Sequence, residues 1–102
     1  MKIILSIDGG GIKGIIPATI LTYLEQKIQV LLNDNRLHLC NLIDFIAGTS
    51  TGSIIGALML IPNERGDTSK YTMSEISDFY LSLGDKVFKT SLLHNLKTCY
   101  GL

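Results

Sequence analysis

Ser50 stands in Gly48-Thr49-Ser50-Thr51-Gly52, a GxSxG pattern, directly behind an apolar run at residues 42–47 and directly ahead of another at 54–61. A serine on a sharp turn from strand to helix presents its hydroxyl beyond the sheet edge, while the flanking glycines let backbone crowd backbone. The matching chemistry is attack on an acyl carbon, which needs a base for the serine proton and hydrogen-bond donors for the oxyanion. Five residues of pattern recur by chance in many chains. The order strand-like run, turn, helix-like run is what makes Ser50 a candidate nucleophile.

Donors are available earlier in the chain, at Asp8-Gly9-Gly10-Gly11-Ile12-Lys13-Gly14. Three glycines after a strand expose consecutive amides without side-chain obstruction, and a helix beginning there points its positive end the same way. In α/β hydrolases the oxyanion hole is shared between an early glycine-rich loop and the residue after the nucleophile, here Thr51. The same glycines also satisfy GxGxxG, the dinucleotide fingerprint. Against that reading, Asp8 places a carboxylate beside the loop, no second strand ends in an acid, and Asp34 falls in a polar turn. A nucleotide-binding module would also leave residues 48–52 unexplained. No base is evident. Ser50, then Asp78 or Asp85, then His94 has the chain order of a hydrolase triad, but too few residues intervene to build the strands that would return His94 to the serine.

The elements that must position these groups follow from periodicity. Residues 3–7 form a β-branched run of the kind found in a buried parallel strand. From Gly14 the period changes: Ile16, Ile20, Leu21, Leu24, Ile28, Leu31 and Leu32 fall at helical spacing, with Glu25, Gln26, Lys27 and Gln29 on the remaining surface. Pro17 is tolerable in the first turn, and Asn33-Asp34-Asn35 ends the helix. Residues 42–47 predict a second strand interrupted by Asp44, and 53–61 a second helix stopped by Pro62. Strand, helix, strand is a βαβ unit, and consecutive strands are adjacent in about two-thirds of cases, which would set the glycine loop beside Ser50. Residues 63–70 read as an exposed loop. Thr72-Met73-Ser74-Glu75 has capping-box spacing and opens a helix through Ile76, Phe79, Tyr80 and Leu83 that is expected to end at Gly84. Tyr71, Tyr80, Phe79 and Phe88 are expected in the core or partly buried, His38 and His94 at the surface or a helix end, and Lys86, Lys89 and Lys97 on a solvated face.

Composition narrows the function classes. Nine basic and nine acidic residues cancel to a formal net charge of zero, which offers no electrostatic case for nucleic acid. The apolar fraction of 46% suits strands buried on both faces. The longest apolar stretch falls far short of the ~18 residues a transmembrane helix needs, and residues 1–8 lack a signal peptide's hydrophobic region. The location expected is cytoplasmic or peripheral to a membrane. Cys40 and Cys99 have neither CxxC spacing nor a histidine cluster, so reduced thiols are expected and no metal or cofactor is called for. A chain of 102 residues is short for a hydrolase sheet, which usually takes about 200 or more. A partial domain over residues 1–102 is therefore expected, with an open sheet edge and apolar face that favour self-association.

Taken together, residues 8–14 and the GxSxG at 48–52 resemble the N-terminal half of a patatin-like phospholipase domain. The resemblance implies a three-layer α/β/α fold with a mostly parallel sheet, of which this would be the N-terminal portion. It implies hydrolysis of phospholipid or other acyl-ester lipid, a role in lipid degradation, and contact with membrane surfaces. By the same resemblance Gly9, Gly10 and Gly11 supply oxyanion amides, Ser50 is the nucleophile of a Ser-Asp dyad, and Asp8, Gly14, Gly48 and Gly52 belong to the motifs. Two departures stand out. Lys13 replaces an arginine common in the glycine loop, keeping charge but losing a bidentate fork. The family's dyad aspartate lies in a DGG or DGA motif, and nothing after Ser50 matches it: Asp67, Asp78 and Asp85 are followed by Thr, Phe and Lys. A catalytically silent lipid- or partner-binding fragment is the remaining alternative.

Overall fold

The computed structural model describes residues 1–99, with side chains described for residues 1–11 and 13–86. Strand β1 (Ile4–Ile7) leads through the glycine loop and a 3-10 turn (Gly11–Gly14) into helix α1 (Ile15–Leu31). A second 3-10 turn (Leu39–Leu42) precedes strand β2 (Phe45–Gly48), which runs into helix α2 (Thr51–Leu60). Helix α3 spans Met73–Cys99. The two strands pair in parallel, Ile4 with Phe45 through Ile7 with Gly48. This is the expected adjacency, and it makes the fold α/β with a parallel sheet.

Local chemistry explains most boundaries. Asn33 adopts a left-handed φ of 49° after α1, and the amide of Asp34 closes the end by donating to the Gln29 carbonyl at 3.0 Å. Helix α2 stops because Ile61, preceding Pro62, is extended, as steric conflict with a proline ring requires. The Thr72–Glu75 capping box forms, with the Glu75 amide donating to Thr72 Oγ1 at 3.2 Å and the Thr72 amide to Glu75 Oε1 at 3.4 Å. Two expected boundaries are corrected. Helix α3 runs through Gly84 to Cys99 rather than ending there, because a single interior glycine costs only about 1 kcal/mol and no proline follows. Residues 42–44 lie outside β2: Leu42 ends the 3-10 turn, and Asp44 binds the Ile3 amide at 2.8 Å just ahead of the strand pair.

One core gathers all three helices against one face of the sheet: Ile7 from β1, Ala18 and Leu21 from α1, Ile55 and Met59 from α2, Met73, Ile76 and Tyr80 from α3. On the other face the register partners Ile4 and Phe45 are 68% and 61% exposed among the described residues.

The burial of α1 also departs from the periodicity reading. Ile16, Ile20, Leu24, Leu31 and Leu32 are exposed, whereas Glu25 is buried. The face that meets α3 is small and polar: Thr22 Oγ1 lies 2.8 Å from Ser77 Oγ, and Ser77 donates to the Ala18 carbonyl at 3.1 Å. These hydroxyls satisfy each other and the backbone, so they pack closely at little desolvation cost. Phe79 is likewise exposed rather than packed, while Tyr80 is buried. Phe88, His94, Lys89, Lys97 and Cys99 lie outside the described side chains, and Lys86 is exposed as expected. His38 is partly buried, its Nδ1 3.1 Å from the Tyr71 carbonyl oxygen. Cys40 is a free thiol.

Candidate active site

The last residue of β2 and the first of α2 are separated only by Thr49 and Ser50. Turning the chain that fast forces Ser50 to φ 53° and ψ −124°, a region that costs a non-glycine residue on the order of 1–3 kcal/mol. Such strain at a strand-to-helix serine is the geometry of a nucleophile elbow. The glycines on either side are required by contact. A Cβ on Gly48 would stand 2.6 Å from the Gly52 carbonyl oxygen, and one on Gly52 would run into the Ile7 carbonyl of the neighbouring strand. The turn is tied down by the Thr49 amide donating to the Ile7 carbonyl at 3.1 Å and the Gly52 amide to the Thr49 carbonyl at 2.9 Å. Ser50 is exposed, and its hydroxyl makes no hydrogen bond among the described residues.

The glycine loop lies against this elbow. The Gly9 amide donates to Thr49 Oγ1 at 3.1 Å and the Gly10 amide to Thr51 Oγ1 at 3.3 Å. A Cβ on Gly9 would sit 2.6 Å from Ser50 Cβ and 2.9 Å from the Thr51 amide nitrogen, so only glycine at this position lets the loop pack this closely against the elbow. Gly10 and Gly11 carry φ of 152° and 62°, a left-handed stretch open to glycine. The structure therefore brings together Gly9, Gly10, Gly11, Thr51 and Ser50 from two motifs forty residues apart. It also redistributes the donors. Gly9 and Gly10 are engaged by threonine hydroxyls, whereas the amides of Gly11 and Thr51 have no hydrogen-bond partner among the described residues. The Thr51 amide is one of the orphan donors at a helix start, on which the positive end of the helix dipole is centred.

Other predicted residues fall elsewhere. Asp8, Asp78 and Asp85 are exposed, and none is hydrogen-bonded to Ser50. Strand β2 ends on Gly48, without the acid a dinucleotide ribose would need. Among the described residues no group of three or more His, Cys, Asp or Glu is placed to hold a metal ion, and no helix is long and apolar enough to cross a membrane.

Two residues that matter to this arrangement escaped the sequence reading. Tyr80, from the middle of α3, donates its hydroxyl proton to the Gly11 carbonyl. Glu25, 4% exposed, accepts the Leu39 amide at 2.7 Å on Oε2 and the Met73 amide at 3.0 Å on Oε1. It thereby caps both the second 3-10 turn and the start of α3. The sequence carries a weak signal for Glu25, which stands four residues after Leu21 and three before Ile28 on one helical stripe, but nothing in it names the partners.

The fold places a serine on a strained strand-to-helix turn facing a glycine loop, and comparison of the whole chain specifies the family. The family model described as patatin-like phospholipase matches residues 5–101. The chain belongs to the patatin-like phospholipase family. Among similar proteins, it is 48% identical over 85 residues to "Patatin-like protein 2" of Arabidopsis thaliana, covering 83% of this chain and 20% of that protein. It is 45% identical over 91 residues to "Patatin-T5" of Solanum tuberosum, covering 89% and 23%. "Probable inactive patatin-3-Kuras 1" of the same organism is 42% identical over 100 residues, covering 98% and 26%. The chain thus spans between about a fifth and about a quarter of the length of these relatives.

Proposed function

We propose that this chain carries the nucleophile and oxyanion half of a serine lipid acyl hydrolase acting on phospholipid or other acyl-ester lipid. The observation that carries the reading is the packing of the glycine loop on the Ser50 elbow, which leaves open amides at Gly11 and Thr51 beside an exposed, strained serine. In the reaction Ser50 Oγ attacks the ester carbonyl carbon while its proton passes to a base. The carbonyl oxygen becomes an oxyanion, held by the Thr51 and Gly11 amides. Gly9 and Gly10 join when their threonine partners rotate away. Collapse breaks the ester bond, and the departing alcohol takes the proton back. Water then cleaves the acyl-serine by the same route. The base in this reading is an aspartate outside residues 1–102. Substrate of this class arrives in a lipid surface, so the enzyme works at a membrane periphery.

The test is ester turnover by the full-length protein with a p-nitrophenyl acyl ester, paired with fluorophosphonate labelling. Ser50→Ala is expected to abolish both; unchanged turnover would remove Ser50 as nucleophile. A second reading, a silent lipid-binding domain, draws on the absence of any carboxylate bonded to Ser50 among the described residues and on a relative named probable inactive. It predicts vesicle binding with neither turnover nor labelling. Protection by NAD or ATP without labelling would instead favour the glycine loop as a nucleotide site.

A further inference from the structure

The glycine loop is held on two sides, and only one of them belongs to the motifs. On the elbow side Thr49 and Thr51 take the amides of Gly9 and Gly10. On the buried side Tyr80, 3% exposed, reaches from α3 and donates to the Gly11 carbonyl. The same ring closes off Gly14 at the end of the loop: a Cβ there would stand 2.7 Å from Tyr80 Cζ and 3.2 Å from Thr51 Oγ1. Tyr80, Gly14 and Thr51 therefore meet under the loop. The Gly10 carbonyl is already taken by the Lys13 amide at 3.2 Å. With both carbonyls bound, the peptide planes on either side of Gly11 lose their freedom to rotate, and with them the direction of the Gly11 amide.

We infer that Tyr80 is a positioning residue for the oxyanion loop: its hydrogen bond to the Gly11 carbonyl fixes the peptide plane after Gly11, and so steadies the pivot next to the plane, held through Lys13, that carries the Gly11 amide. This rests on the acyl-hydrolase reading above. The physical need is specific. Gly10 and Gly11 have left-handed φ values and no side chains to lock them, so a loop whose donors must be preorganised depends on outside contacts to stay in one conformation. Tyr80 supplies one from an element that carries no motif residue. Its burial makes the hydroxyl a committed donor, because a buried phenol without a partner is costly.

The experiment uses the full-length enzyme, with active sites titrated by a fluorophosphonate so that kcat refers to competent serines. Tyr80→Phe keeps the ring against Gly14 and removes only the donor. Expected is a fall in kcat of roughly 10- to 100-fold, the range for a small misplacement of a catalytic group, with KM within about twofold and a matching drop in the fluorophosphonate reaction rate. Ile76→Val, in the same helix and core, supplies the structural comparison: its melting temperature should fall with kcat per titrated site unchanged. If Ser50→Ala abolishes turnover while Tyr80→Phe leaves kcat within twofold, or fails to fold at all, the positioning role is overturned and the hydrolase reading survives. If Ser50→Ala retains turnover, both fall together.

Discussion

Two regions of this molecule gather backbone amides on side-chain oxygens, and they do so in opposite ways. At the back, the Glu25 carboxylate takes the Leu39 and Met73 amides at 2.7 and 3.0 Å in a buried setting. At the site, the neutral hydroxyls of Thr49 and Thr51 take the Gly9 and Gly10 amides at longer distances, 3.1 and 3.3 Å, where water has access. A charged acceptor away from water makes a bond roughly twice as strong as a neutral one. A rotatable hydroxyl at the surface exchanges its partner with little penalty. The first clamp joins α1, the 3-10 turn and α3 into a fixed frame. In the acyl-hydrolase reading proposed above, the second holds a loop whose amides must be given to a substrate oxygen. Tyr80 belongs to the first kind, buried and fixed, but acts on the second.

The sharpest way to break this contrast is to remove the fixed clamp. Glu25→Ala leaves two buried amides without acceptors and should lower stability by about 3–5 kcal/mol, measured by urea unfolding of the full-length protein. Turnover per titrated serine should stay within about twofold, and a large loss there would mean that the two regions are coupled more tightly than their separation suggests. Next in size is Gly9→Ala, whose methyl group meets the Thr49 carbonyl and Ser50 Cβ. It should cost about 10²-fold in kcat, with the melting temperature showing whether the fold absorbs the clash. Thr51→Val takes away one exposed neutral acceptor and should reduce kcat by no more than about fivefold, near the 1 kcal/mol of an ordinary hydrogen bond. A loss of stability by Thr51→Val as large as that of Glu25→Ala would erase the distinction between the two clamps.

The smallest effect concerns the sheet face that carries Ile4 and Phe45. We propose that residues 1–102 alone self-associate through Ile4 and Phe45, which lie side by side and exposed. Phe45→Ser should change monomer stability by less than about 0.5 kcal/mol while shifting the isolated polypeptide toward monomer in sedimentation. A wild-type polypeptide that is already monomeric would end that expectation.

Much of the frame was readable from residue order. Pro62, the Thr72–Glu75 capping box and the glycines at 9–11, 48 and 52 act through local sterics and local hydrogen bonds, so their effects are written in neighbouring residues. What could not be read was every contact whose partner is distant. The buried face of α1 is not legible in the periodicity because Thr22 and Glu25 are polar, and hydrophobic periodicity assigns polar groups to water. In the fold they meet Ser77, Leu39 and Met73, up to 55 residues away. Gly84 reads as a stop because glycine is a weak helix former, yet helix α3 continues through it.

Residue order alone determined that a serine would sit on a strand-to-helix turn behind a glycine loop, because glycine and proline limit backbone angles wherever they stand. Only the tertiary structure decided which loop amides stay open, that Tyr80 would hold the loop from beneath, and that Glu25 would be buried. Those outcomes depend on hydrogen bonds between residues far apart in the chain, and whether a polar group is buried or solvated is settled by whether such a partner arrives.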